Sequence, residues 1–268
     1  MTNQPNDSLE LPRIGIVLPA CDEESCIAAV LSELLATIDP SKYVIAVGVN
    51  GTSDRTAEIA RRFPVIVAET DARGYGHGCM AAIAALCRVH PTVGAYIFFA
   101  ADGASDPSDV ALLAAAYEEG NDFVLGSRTA VRSNWAAMTL PHVAANFALG
   151  MWCTVLTSRW FTDLGPLRLV ERSLFETMGL RELTYGWTIE SQIAAACLRA
   201  RIRQLSVRER PRIAGEQKVS RVSWRRTFAI GCRIMAAGWR TDVRFAQRIP
   251  EVPANCAAEL VPQSQGGS

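Results

Sequence analysis

Residues able to do chemistry are concentrated in four short polar stretches: PACDEE (residues 19–24), VNGTSD (49–54), AADGASDP (100–107) and GSR (126–128). The third is the most informative. It follows an apolar run, AYIFFA, and an acidic group directly after a buried strand can reach a metal ion together with the diphosphate that the ion holds. Asp102 is therefore the candidate ligand for Mg2+ or Mn2+, with Ala101 and Gly103 beside it. Asp106, followed by Pro107, has the composition of a turn that caps a helix. Between Arg199 and Arg226 the chain carries ten Lys or Arg residues against Glu209 and Glu216 alone, a local excess that should meet an anion.

Such groups need a frame, and the first half of the chain supplies one. Short β-branched runs alternate with helical stretches, the signature of a parallel sheet with crossover helices. Strands are expected at residues 14–20, 44–50, 64–69, 95–100 and 122–127. Helices are expected over residues 24–38, after Ser53 and Asp54, over residues 76–89, and from Asp106 to about residue 119. In open α/β sheets ligands bind beyond the carboxyl ends of the strands. Pro19, Ala20, Glu23, Glu24, Asn50, Asp54 and the 101–103 segment fall at those ends, so a nucleotide site is expected there. The second half is less regular: a long apolar helix, TDLGPLRLV as strand or turn, GWTIESQIAAACL as helix, and IRQLSVRER as strand.

The whole chain, 268 residues with 49 % apolar and 20 % charged residues, fits one large α/β domain with a small extension. Lys+Arg and Asp+Glu balance at 27 each, which argues against a nucleic-acid binder. Eight cysteines without a C-x-x-C pair read as free thiols in a reducing compartment rather than a zinc site or disulfide framework. The N-terminus has no signal-peptide pattern, so a cytoplasmic location is expected. Residues 133–158 carry no Asp, Glu, Lys or Arg, but Asn134, Pro141, His142 and Asn146 disfavour a membrane span; a buried or groove-lining helix is expected.

The ordered set VLPACDEESCI, VNGTSDRT, ARGYGHG, AADGASDP, LGSR, TDLGPLR, YGWTIESQI and RPRIAGEQKVS resembles the family 2 glycosyltransferases of GT-A fold, specifically the polyprenyl-phosphate (dolichyl-phosphate type) sugar synthases, over residues 12–240. The resemblance implies that Pro19, Glu23, Glu24 and Asp54 hold the nucleotide, and that Gly74, Gly76 and Gly78 let backbone approach it. It implies a donor or catalytic role for Asp102 and Arg128. Asp163 and Glu190 become candidates for a general base or for orienting the acceptor. Arg168, Trp187, Arg210, Arg212 and Lys218 join Arg128 as acceptor- or phosphate-binding residues. Ala100 stands where the family has the first Asp of D-x-D, Ala104 at the next ligand-type position, and Val49-Asn50 where an Asp-Asp pair usually ends the second strand. The expected metal site is thereby weakened.

The implied reaction is inverting transfer of a sugar from a UDP- or GDP-sugar to a polyprenyl phosphate. A soluble small-molecule acceptor and a degenerate binding protein without turnover are the alternatives. Residues 224–240 form an amphipathic helix with Trp224, Phe228, Met235 and Trp239 on one face and Arg226, Arg233 and Arg240 on the other. Such a helix either lies peripherally on an anionic membrane or docks its apolar face on the domain or on a second subunit. The expected layout is a flexible N-terminus (1–11), a GT-A domain (12–220), the amphipathic helix (221–245) and a disordered tail (246–268).

Overall fold

A computed structural model describes residues 13–138, 140–214 and 224–247 of the chain, with side chains in the last segment described from residue 229. The expected flexible N-terminus lies outside the described residues, as do Lys218 and the expected disordered tail beyond residue 247; Ala246, placed in that tail, instead ends the last helix.

Alternation of strands and helices begins as the sequence implies: β1 (Ile14–Ala20), α1 (Ile27–Thr37), β2 (Tyr43–Asn50), α2 (Thr56–Ala60), β3 (Ile66–Thr70), α3 (Tyr75–Val89), β4 (Ala95–Phe98), α4 (Asp109–Glu118) and β5 (Phe123–Ser127). After α5 (Leu140–Thr157) come β6 (Arg168–Glu171), α6 (Arg172–Met178), α7 (Trp187–Cys197), β7 (Ile202–Ser206) and α8 (Trp224–Ala246). The seven strands form one sheet in the order β3-β2-β1-β4-β6-β5-β7. All pairings are parallel except those of β6, which is antiparallel to both β4 and β5. β6 is the strand that the TDLGPLRLV segment left open between strand and turn. Its insertion separates β4 from β5, so Asp102 and Arg128, which follow those two strands, stand a strand apart rather than on neighbours.

β1 is buried along its whole length, as a central parallel strand must be. Its alternating side chains feed two cores. Ile14, Ile16 and Leu18 join Ile27, Leu31 and Leu34 of α1 and Leu113 of α4 on one face. Val17 joins Ala82 and Leu86 of α3, Ile189 and Ile193 of α7, and Ala237 and Phe245 of α8 on the other. Each buried Leu, Ile or Phe contributes about 1.5–3 kcal/mol relative to exposure, so these two faces hold the strand ends in register.

The packing refines one expectation and corrects another. α5 buries one stripe, as a helix lining the domain does: Val143, Asn146, Gly150 and Cys153 face inward, with Asn146 against Arg128, while Leu140 (68 % exposed), Phe147 and Val155 face out. Among the described residues no helix is long and apolar enough to cross a membrane. Among the described residues α8 does not dock by the face that Met235 and Trp239 mark. Ala237, Thr241 and Phe245 are buried, whereas Met235 and Trp239 (56 % exposed) are not. Gly186 and Gly238 permit this close approach: a Cβ at Gly186 would lie 2.7 Å from Ala237 Cβ, and one at Gly238 would lie 3.0 Å from Ile193 Cδ1. Of the cysteines within the described residues, Cys26, Cys79 and Cys153 are buried and Cys21, Cys87, Cys197 and Cys232 are partly or fully exposed.

Candidate functional site

The loops after β1 and β2 lock onto each other. Glu23 N donates to Thr56 Oγ1 (2.8 Å), Glu24 N to Asp54 Oδ2 (3.0 Å), and Arg55 N to Glu24 Oε2 (3.2 Å). Asp54 also accepts from Thr56 N (2.9 Å), closing a local turn at the start of α2. Burial tends to raise its carboxyl, but these donors prevail and hold it below the ordinary value. Asp22, not singled out from the sequence, adopts a left-handed backbone (φ 51°) and accepts from Ser53 N (2.8 Å) and Arg73 Nη2 (3.1 Å). Its signal in the sequence was only its place in the acidic run after β1. Pro19 and Ala20 pair with Gly48 and Val49 in the sheet and set the floor of this corner.

The glycine turn packs closely against its surroundings. Asn50, almost fully buried, donates to Gly74 O (3.0 Å), and a Cβ at Gly78 would lie 2.7 Å from Asn50 Oδ1 and 3.0 Å from Pro19 Cβ. A Cβ at Gly76 would meet Trp187 and Leu183 within 3 Å. These glycines bring α3 against the sheet and against the 183–187 segment.

Asp102 lies just beyond β4, about a third exposed. Its Oδ1 accepts from Ala104 N (3.1 Å), and its Oδ2 stands 3.9 Å from Arg212 Nη1. The other Nη of Arg212 is ion-paired with Glu23. Asp106 accepts from Ser108 N (3.0 Å) and Ser108 Oγ (2.7 Å), the helix-opening role that its position implied. Among the described residues no three His, Cys, Asp or Glu converge as a metal cage. With alanines at 100 and 104 and a guanidinium beside Asp102, the residues present do not by themselves fit a divalent cation.

A second group forms around Arg128, which is 5 % exposed. Asp163 Oδ2 receives Arg128 N (2.8 Å) and Nε (2.9 Å), and Asp163 Oδ1 receives Nη2 (3.0 Å). Asn146 Oδ1 (3.1 Å, from Nη2) and Glu209 Oε1 (3.3 Å, from Nη1) complete the ring. Burial would lower the Arg128 pKa, but Asp163 and then Glu209 outweigh it and hold the guanidinium firmly charged. Glu209 was not identified from the sequence as a site residue. Burial pushes its carboxyl up, Arg128 opposes, and the charge of Asp102 adds to the rise, so Glu209 lies electrostatically between the two groups. An antiparallel bridge between Ser105 and Glu209 holds it there. No local motif marks Glu209; only the return of the chain after β7 brings it in.

Several site expectations are corrected. Asp163 is fully buried and its oxygens are occupied by Arg128 and Leu164 N (2.8 Å), so it orients Arg128 and is not placed to take a proton. Glu190, 1 % exposed, accepts from Arg181 N and Glu182 N (2.7 Å) and pairs with Arg244 (2.9 Å); it ties a loop to α8. Trp187 is buried in an aromatic cluster with Phe98 (5.9 Å between centroids) and Phe175. Arg168, 1 % exposed, donates to Thr188 O (2.8 Å), Ser191 Oγ (2.6 Å) and Gly165 O, and burial pushes it down to about 10. It is a core crosslink. Arg210 forms a fork on Glu33 (2.7 and 2.9 Å), which leaves Arg212 and Arg128, among the described residues, as the expected cations that face the strand ends.

The family model for glycosyl transferase family 2 matches residues 15–204 of the chain. The chain is 30 % identical over 209 residues to uncharacterised glycosyltransferases of Mycobacterium tuberculosis and Mycobacterium bovis, covering 77 % of this chain and 89 % of theirs. Its fold is similar to that of glucosyl-3-phosphoglycerate synthase from M. tuberculosis, solved with Mn2+, UDP and glucosyl-3-phosphoglycerate: TM-score 0.64 and 18 % identity over 87 % of this chain and 80 % of that one. Structures of that synthase with UDP-glucose, Mn2+ and glycerol 3-phosphate (TM-score 0.60, 18 % identity, the same coverage) and with Mg2+ and UDP (TM-score 0.59, 18 % identity, the same coverage) are likewise similar. With its ordered strand-end motifs, its mostly parallel sheet and a family match over most of its length, the chain belongs to glycosyltransferase family 2 and is an enzyme of GT-A fold.

Proposed function

We propose that the protein transfers a hexose from a nucleoside diphosphate sugar, UDP-linked in the first instance, to a small soluble acceptor bearing a phosphate or carboxylate. The observation that carries this reading is the pair of groups at one end of the sheet: the Glu23–Arg212–Asp102 group beyond β1 and β4, and the buried Arg128–Asp163–Glu209 group beyond β5. The likeness in fold to a synthase that binds UDP-glucose and phosphorylated three-carbon acceptors supports it.

Departure of a nucleoside diphosphate develops negative charge at the strand ends, and a preorganised guanidinium there is the electrostatic device that lowers such a barrier. Pro19, Ala20, Glu23 and the locked 22–24/52–56 corner would hold the nucleoside, and Asp102 would face its phosphates. Arg128 would face the acceptor's anionic group while Asp163 keeps its plane fixed. A hydroxyl acceptor needs a base, and of the carboxylates in reach Glu209 is the one whose raised pKa suits that work. A divalent ion, which supplies charge neutralisation to a diphosphate when bound, would find one protein carboxylate oxygen at Asp102; no step here is assigned to it.

The test is a transfer assay with UDP-glucose, UDP-galactose and GDP-mannose against glycerol 3-phosphate, 3-phosphoglycerate and undecaprenyl phosphate, read by mass spectrometry. A hexose adduct on a small phosphorylated acceptor is the expected product. Transfer to undecaprenyl phosphate alone would favour the second reading, a polyprenyl-phosphate acceptor at a membrane surface. The observation in its favour is α8, where exposed Trp239 and Met235 neighbour exposed Arg233 and Arg240.

A further inference from the structure

The segment that follows β7 lies as a strap across the ends of β1 and β4. Arg210 anchors it by its fork on Glu33 and by donating its N–H to Ala104 O (2.7 Å). Ile213 N donates to Asp102 O (3.3 Å), and Cys26 Sγ to Ala214 O (3.0 Å). Gly103 has φ 77°, and a Cβ there would lie 2.4 Å from Ile213 Cδ1, so the strap and the Asp102 turn are fitted to each other. This seating carries Arg212, 12 % exposed, to the point where the first and fourth strands end. Its Nε is fixed on Ala214 O (2.8 Å), one Nη pairs with Glu23, and the other stands 3.9 Å from Asp102 Oδ2.

Two carboxylates from different strands therefore converge on one guanidinium, at the position where Asp102 could otherwise have reached a metal. A hard divalent cation takes six or more oxygens, and Ala100 and Ala104 withhold the carboxylates that neighbouring positions could have offered. It would also be repelled by a fixed positive charge at that range. A guanidinium, unlike a metal, offers a planar fork that matches two phosphate oxygens.

We infer that Arg212 takes the place of the divalent cation in this enzyme: it holds and neutralises the diphosphate of the donor, and nucleotide binding is independent of metal. This rests on the nucleotide-sugar reading above. It moves Arg212 from the acceptor side, where the sequence resemblance put it, to the donor side.

The test is thermal stabilisation and titration calorimetry of the full chain with UDP, GDP, CDP and TDP, each with MnCl2 or with EDTA. The variants are Arg212→Ala and Arg212→Gln; the latter removes the charge but keeps a donor for Ala214 O. The expected result is a melting-temperature rise with one nucleotide that is the same in EDTA as in Mn2+, and binding weakened about tenfold or more in both variants. A rise that vanishes in EDTA, or variants that bind as tightly as the wild type, would overturn the inference and leave the donor site standing. Silence of all four nucleotides under both conditions would overturn the nucleotide-sugar reading, and this inference with it.

Discussion

At the residue scale the molecule spends its buried charges on geometry. Asp163 has three hydrogen bonds to Arg128 and no exposure, so Asp163→Asn should leave the guanidinium undercompensated. A loss of about 3–5 kcal/mol is expected, seen as a melting temperature lower by roughly 6–20 °C. Glu209 behaves in the opposite sense. Its folded-state pKa is raised above the unfolded value, mainly by burial, so the folded protein binds that proton more readily than the unfolded chain. Ionised Glu209 therefore opposes folding at neutral pH, and this penalty fades as pH falls through the raised folded pKa toward 4.5. Glu209→Gln should accordingly melt higher than wild type at pH 7, with the difference closing near pH 4.5; a gap that widens on acidification would contradict the assignment. In the reaction the same variant should lose turnover while keeping the nucleotide-induced stabilisation. Asp102 was legible from its place after an apolar strand. Glu209 was not, because a single Glu in an arginine-rich stretch looks like a solvated counter-charge until the tertiary structure buries it.

At the element scale the strand ends matter because helices are clamped tightly behind them. α3 approaches β1 and β2 through Gly78, where a Cβ would lie 2.7 Å from Asn50 Oδ1 and 2.9 Å from Gly48 O. Gly78→Ala should cost about 1–3 kcal/mol by overpacking and displace Asn50, weakening nucleotide binding as well as stability. If the glycines instead served only to admit ligand, stability would be unchanged. α7 and α8 are joined by the Glu190–Arg244 pair (2.9 Å). Glu190→Gln and Arg244→Met should each lower the melting temperature, with a coupling of about 1 kcal/mol or more in the double variant, and both should retain nucleotide binding. Loss of turnover in Glu190→Gln at unchanged stability would restore Glu190 as a catalytic group. Most of these elements were readable from period and composition. α6 was not anticipated and β6 was left undecided, since four residues carry too little pattern to separate strand from turn, and the antiparallel direction of β6 depends on how α5 returns the chain.

At the scale of the whole molecule, α5 and α8 lie in contact on one side of the sheet, joined through Trp152 Nε1 on Met235 O (3.2 Å), and both present apolar side chains outward. Flotation with phosphatidylglycerol vesicles checks whether this side meets lipid: a soluble-acceptor enzyme stays in the unbound fraction, whereas co-flotation that is lost in Trp239→Glu would favour the polyprenyl reading. The sequence by itself determined the class of fold, the presence of the first five strands along the chain and the end of the sheet where ligands are expected to collect. These follow from hydrophobic periodicity and from polar groups that can only sit where strands stop. Which face of α8 is buried, which carboxylates are already engaged and which arginine meets Asp102 were decided by the tertiary structure. Those outcomes depend on contacts between residues far apart in the chain: Arg212 reaches Glu23 across a separation of 189 residues. Burial then changes what each charge can do, turning Asp163 and Glu190 into anchors and leaving Asp102, Arg128, Glu209 and Arg212 at the face where transfer would occur.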